Sequence, residues 1–189
     1  MLSGIGGDSV EVSYIDKAGA EQTVTLTDLG EAHTQLEAFR RQLQIAHDRN
    51  LPVELHLRDE GDGRTTAHDL ALQVLHEEGV PEAGCDLHCF TSGPEVMMPF
   101  VGLGCHIAFG GAATFPRSED IRAAAVACPR ELVLCETDSP YMAPHPLRGQ
   151  ECEPAMVTLS AALVARCRAE AGVAPSEQTY RALWENALR

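Results

Sequence analysis

Apolar and polar positions change period repeatedly along this chain. VEVSYI (10–15) and TVTLTDL (23–29) alternate apolar with polar, which predicts a short strand or hairpin. From residue 31 the period lengthens. Leu36, Phe39, Leu43 and Ala46 fall on one face of a helix predicted over 31–49. LPVELH (51–56) is a short apolar run led by proline and predicts a buried strand. A helix follows over 66–78, stopped by Gly79, a residue suited to the left-handed turn that closes helices. CDLHCF (85–90) and GCHIAFGG (104–111) predict two more strands. Ser118 is placed to cap a helix that begins Glu119-Asp120 and ends at Pro129, with Ile121, Ala124, Ala125 and Cys128 at helical spacing. LVLCETD (132–138) reads as the next strand. Pro154 opens a helix that stops at Gly172, and a last helix runs from Ser176 with Tyr180, Leu183, Trp184, Ala187 and Leu188 on one side. Residues 1–30 are the least regular stretch, opened by Gly4, Gly6 and Gly7.

Strands that alternate with helices imply parallel βα units. The periodicity leaves open whether the sheet is doubly wound or closed into a barrel. GxGxxG and GxxxxGK[ST] are both missing from the sequence, which removes the usual phosphate-loop grounds for a nucleotide fold. No repeat, low-complexity tract or linker divides the 189 residues. A single domain is expected over 1–189, with 1–30 as a divergent N-terminal segment.

Charge and cysteines narrow the picture. Fourteen basic against 28 acidic residues leave a net charge of −14. That disfavours broad, charge-driven adhesion to nucleic acid or anionic membrane, although bound cations can supply positive charge locally. No apolar run approaches the ~20 residues needed to cross a bilayer. MLSGIGGDSVEVSYIDKAG lacks a basic start followed by an apolar stretch, so no secretory signal is read there. The 7 cysteines contain no CxxC pair and read as reduced thiols of a cytoplasmic protein.

Three polar residues then stand out by position. His56 ends LPVELH, His88 ends CDLH and Asp138 ends LVLCETD. The carboxyl ends of parallel barrel strands are where active sites are built. Two imidazoles and a carboxylate there suit a divalent metal, and Asp138 can also take a proton from an activated water. The plainer readings are hydrogen-bonded structural histidines and, for Asp138 before Ser-Pro, a turn former. His33, His47, His68 and His76 are expected to face solvent on or beside helices, His106 to pack inside a strand, and His145 to line a cleft. Arg58 and Arg148 are candidates for gripping an anionic group, because guanidinium matches phosphate oxygens bidentately. Cys89 and Cys135 flank the candidate residues; a Cys/His nucleophile pair stands against small buried thiols.

LPVELHLRD, LHCFTSG, IAFGGAATF, LVLCETDSPYMAPHPLRG and the closing ENALR occur in the order and rough spacing of the TatD family of metal-dependent deoxyribonucleases. QLEAFRRQLQIA (35–46) resembles the helix before the first histidine that is retained. The resemblance covers about residues 35–189. It implies an α/β fold of the (β/α)8 TIM-barrel, amidohydrolase type and hydrolysis of DNA phosphodiester bonds with divalent cations, often Mg²⁺, with Mn²⁺ or Zn²⁺ as alternatives. It implies His56 and His88 as ligands of one metal, Asp138 as ligand of the other and water activator, and Arg58 and Glu136 as supporting neighbours, with Arg148 in the loop beyond. DNA is the implied substrate, with no membrane and no stable protein partner.

Two motifs of the family are missing. There is no H-x-H in the sequence, and the place of G-E-x-G-L-D reads VEVSYIDKAG. A barrel of this type also takes ~250 residues. The expectation is an incomplete barrel, its first one or two βα units missing or degenerate, with weak or absent nuclease activity for this chain alone. The alternatives are a related metal-dependent hydrolase of another ester or amide, and a non-catalytic binding protein.

Overall fold

A computed structural model describes residues 9–15, 21–27, 32–59 and 66–188. The opening glycines, Gly4, Gly6 and Gly7, lie outside these residues. The chain divides into two compact units, Met1–Cys85 and Asp86–Arg189.

In the first unit, strands β1 (Ser9–Ile15) and β2 (Glu21–Thr27) form the antiparallel hairpin that the alternation predicts, with Val12 opposite Val24. Helix α1 (Ala32–Arg49) buries Phe39, Leu43 and Ala46, the predicted apolar face. Strand β3 (Val53–His56) follows; the Val53 N–H donates to the Gly84 carbonyl at 3.1 Å. Helix α2 (Thr66–Glu78) buries Ala71, Val74 and Leu75 and ends before Gly79, which takes a φ of 83°. Arg40 ties α1 to α2 through Glu77 and Glu78, the latter at 2.8 Å.

His68 does not face solvent as expected. It is 6% exposed, and its Nδ1 lies 2.7 Å from the Asp59 carboxylate. The other Asp59 oxygen accepts the Ala67 N–H at 2.7 Å, one of the free donors at the start of α2. The residue after Arg58 thus fastens the helix, a role that the helical period could not announce.

The second unit is built on parallel strands β4 (Cys85–His88, starting at the boundary), β5 (His106–Phe109) and β6 (Val133–Cys135). Leu87 registers with Ile107, and Ala108 with Leu134. Around them stand α3 (Pro94–Gly102), α4 (Glu119–Ala127), α5 (Val157–Glu170) and α6 (Ser176–Ala187). Leu87, Phe100, Ile107, Phe109, Val133 and Val164 are at most 1% exposed and form the core. Burying such a side chain contributes about 1.5–3 kcal/mol.

Four details depart from the sequence reading. Helix α3 is not anticipated, because PEVMMPFVG is apolar almost throughout and holds two prolines, so no stripe shows; Pro94 sits in the first turn, where no N–H is missed. Ser118 caps α4 only with its backbone carbonyl, which accepts the Arg122 N–H at 3.1 Å. Pro154 opens a 3₁₀ turn (Pro154–Met156), and α5 itself starts at Val157. On α6 the buried face is Thr179, Ala182, Leu183 and Asn186, whereas Tyr180, Trp184 and Leu188 are exposed. Of the apolar-looking side only Leu183 packs fully, and Asn186 turns inward to bond backbone carbonyls.

Candidate metal centre

Parallel neighbours β4 and β6 flank β5 and finish at the same edge of the sheet. His88 is the last residue of β4. Strand β6 stops at Cys135, earlier than predicted, but the Glu136 N–H still donates to the Phe109 carbonyl at 3.3 Å. That last rung holds the Glu136 side chain beside His88, and Asp138 lies in the loop just beyond.

His88 sits between the two acids. Its Nδ1 pairs with Glu136 Oε2, and its Nε2 lies 3.3 Å from Asp138 Oδ1. The three side chains are 12%, 14% and 24% exposed. Glu136, as an acceptor, fixes a proton on Nδ1 and turns the Nε2 lone pair toward Asp138. A protonated ring donates to both carboxylates; in the neutral ring Nε2 and Asp138 are two acceptors, an arrangement that a cation between them satisfies.

Two more observations fit a cation. Glu136 Oε1 is buried and has no hydrogen-bond partner among the described residues. A Cβ on Gly110 would come within 2.7 Å of that oxygen, so glycine directly after β5 keeps the hollow open. A ring nitrogen of His88, Cys89 Sγ and a Glu136 carboxylate oxygen all lie within 4.8 Å of one another. Imidazole, carboxylate and thiol together are a donor set for a divalent metal.

Burial first, and then the carboxylates of Glu136 and Asp138, push the Cys89 thiol up to about 12. Cys135 is likewise pushed up to about 12 by burial and then Glu136. Both thiols are neutral at pH 7, which disfavours the nucleophilic Cys/His pair weighed from the sequence.

The 139–149 loop is tied to the 3₁₀ turn Gly111–Thr114. The Tyr141 N–H donates to the Asp138 carbonyl at 2.6 Å, and the His145 N–H to Thr114 Oγ1 at 2.8 Å. Ala143 and Pro144 are buried, and any Cβ on Gly111 would strike the Met142 carbonyl. The Arg148 guanidinium lies 4.4 Å from the centre of the Phe115 ring, a cation–π contact that sequence gives no sign of.

The structure thus brings His88, Glu136 and Asp138 together in the second unit. His56 and Arg58 belong to the first. His56 ends β3 and lines a small hollow with Phe39 and Gln42, and Arg58 is exposed two residues on. Sequence reasoning missed Gly110, whose signal is the Gly110-Gly111 pair directly after a strand, and it weighed Cys89 as a nucleophile or a small buried thiol.

The sequence pattern of the family described as TatD related DNase matches residues 13–189, further toward the N-terminus than the motifs reach. The chain is 43% identical over 123 residues to the Escherichia coli K12 protein named uncharacterized metal-dependent hydrolase YcfH, covering 65% of this chain and 44% of that one. It is 34% identical over 134 residues to the Bacillus subtilis protein named uncharacterized metal-dependent hydrolase YabD, covering 71% and 50%. Among solved structures it resembles the E. coli TatD homologue YJJV with a TM-score of 0.69 at 28% identity, covering 84% of this chain and 58% of that one. An Entamoeba histolytica hydrolase of the TatD family aligns with a TM-score of 0.67 at 19% identity and supports the fold alone. The fold is α/β of the TIM-barrel type and incomplete, and the chain spans about half the length of the relatives it matches.

Proposed function

The chain belongs to the TatD-related DNase family, and we propose that it works as a metal-dependent hydrolase of DNA phosphodiester bonds. The observation that carries this reading is His88 held between Glu136 and Asp138, with a buried Glu136 oxygen left unbonded. A divalent cation, Mg²⁺, Mn²⁺ or Zn²⁺, would supply Lewis acidity toward a phosphoryl oxygen. His88 and Asp138 would hold it, and the family motif assigns His56 the same role. Glu136 fixes the His88 tautomer and ring orientation. Asp138 accepts the proton that the attacking water gives up. With a net charge of −14, a phosphate approaches these acids only where a cation offsets them.

DNA hydrolysis with added Mg²⁺ or Mn²⁺ tests the reading. Low turnover is expected, because the sequence carries no H-x-H pair. Asp138→Asn should reduce it by about 10²–10⁴-fold, the usual worth of a positioned base. Equal turnover by wild type and variant would remove Asp138 from the chemistry. The matched relatives carry names that specify a metal-dependent hydrolase without a substrate, and barrels of one fold host many chemistries, so the second reading is another ester or amide. A panel of phosphodiesters, carboxylic esters and amides separates the two.

A further inference from the structure

We propose that the outer side of α6 is an interface for a second copy of this chain, with the two α6 helices packed antiparallel about Trp184. The proposal stands apart from the metal centre.

Helix α6 packs on α5 and β6 and buries Thr179, Ala182, Leu183 and Asn186. Strand β6 is the last of its sheet, so among the described residues no further strand continues past it. Tyr180, Trp184 and Leu188 recur at every fourth position and are 46%, 69% and 69% exposed. Side chains four apart on a helix stand in one row, and Leu188 keeps the row with a φ of −97° and a ψ of −1°. An exposed apolar row of this kind marks a site of association.

Two features select a second copy as the occupant. The first is the order of the row. Its largest member stands at the centre, with one apolar residue on each side. Turned end for end, the row matches itself: Trp184 meets Trp184 at the two-fold axis, and Tyr180 meets the second copy's Leu188. A closed pair is built on such a self-complementary patch, and a central aromatic residue carries most of its binding. The second feature is charge. With −14 on each copy, two chains repel at a distance. The acids beside the row are offset, however: Glu177 lies 3.8 Å from Arg181, and Glu185 lies 3.1 Å from Arg130. The row therefore offers a basic partner little charge, while it lets a second acidic copy approach.

Three side chains from each copy make a small contact, so the pair should dissociate at about 1–100 µM. Salt screens the repulsion between copies and leaves the apolar contact in place, so raising it should tighten the pair.

Trp184 is the only tryptophan in the sequence, and its emission reports the contact directly. The test is sedimentation equilibrium with tryptophan fluorescence on the 189-residue chain, from about 1 to about 500 µM, at low and high NaCl. Mass should rise from one chain to two, and emission should move to shorter wavelength over the same range, at lower concentration in high salt. Tyr180→Gln and Leu188→Gln remove apolar area without changing charge, and each loss counts twice in a two-fold pair. Both should keep the urea midpoint and weaken the pair at least about tenfold. Met98→Gln, at an exposed position on α3, should leave the pair unchanged. A chain that stays monomeric at about 500 µM with a solvated tryptophan overturns the proposal. So does a monomer with a shielded tryptophan, whose own residues would then cover the row. A dimer that keeps its emission, or that survives both glutamine variants, places the contact elsewhere. Mass that climbs without limit, or a pair that salt loosens, rules out the closed apolar pair.

Discussion

The two ends of the sheet in the second unit treat buried polar groups in opposite ways. Before β6, Arg168 is 3% exposed and its Nη1 donates to the carbonyls of Ala125 at 2.8 Å and Cys128 at 2.7 Å. Asn186 Nδ2 donates to the carbonyls of Arg130 and Val133 at 2.8 and 2.9 Å. These side chains on α5 and α6 fasten the end of α4 and the entry of β6 with neutral acceptors. After β6, Glu136 and Asp138 gather around His88, and one carboxylate oxygen remains unbonded. At the first end backbone carbonyls take most of the buried donors, although Arg168 Nε is buried without a partner among the described residues; at the second, a carboxylate oxygen is buried without a donor. In barrels of this type the strands' amino ends serve stability and their carboxyl ends serve chemistry.

Substitutions sharpen that contrast. Arg168→Met leaves two buried carbonyls without a charged donor and should lower stability by about 2–4 kcal/mol. Urea unfolding measures this, and Mn²⁺ binding by the folded fraction should be unchanged. A variant as stable as wild type would end the claim that this end is the structural one. Glu136→Gln should do the reverse: cation affinity falls about 10–100-fold, as when an outer partner of a metal ligand is lost, while the unfolding midpoint holds or rises. Unchanged affinity by calorimetry would show that Glu136 does not orient His88.

The smallest effect is alkaline. Burial, partly offset by Arg168, pushes the Cys128 thiol from 9.0 up to about 12. The folded chain therefore keeps the proton that the unfolded chain loses near pH 9. This contribution is complete below about pH 9 and lost as pH rises through about 12. Urea midpoints should fall above pH 9, and more gently in Cys128→Ala; identical slopes would mean that other groups govern the alkaline loss.

Much of this fold is legible along the chain. The alternation of VEVSYI and TVTLTDL gives the β1–β2 hairpin, and the periodic faces of α1 and α4 are those that pack. Helix α3 is illegible, because a segment apolar on every side carries no moment. For α6 the visible stripe misleads: Trp184 is 69% exposed and Asn186 is buried. The site is legible in part, since the motifs place His88 and Asp138 at strand ends. Their partners are not, because Glu136 reaches His88 across 48 positions only through the register of β5 with β6, which carries Glu136 to the end of β4.

By itself, then, the sequence determined the family, the βα order and the polar residues that close each apolar run. These follow from local pattern, which every segment carries within itself. Only the tertiary structure decided that His88 stands between two acids, that Arg148 lies over Phe115, and that Cys89 turns to the same side as its neighbour. Periodicity says which face a residue takes on a regular element. It cannot say which chain covers that face, nor where one left-handed residue breaks the alternation and brings a thiol beside an imidazole.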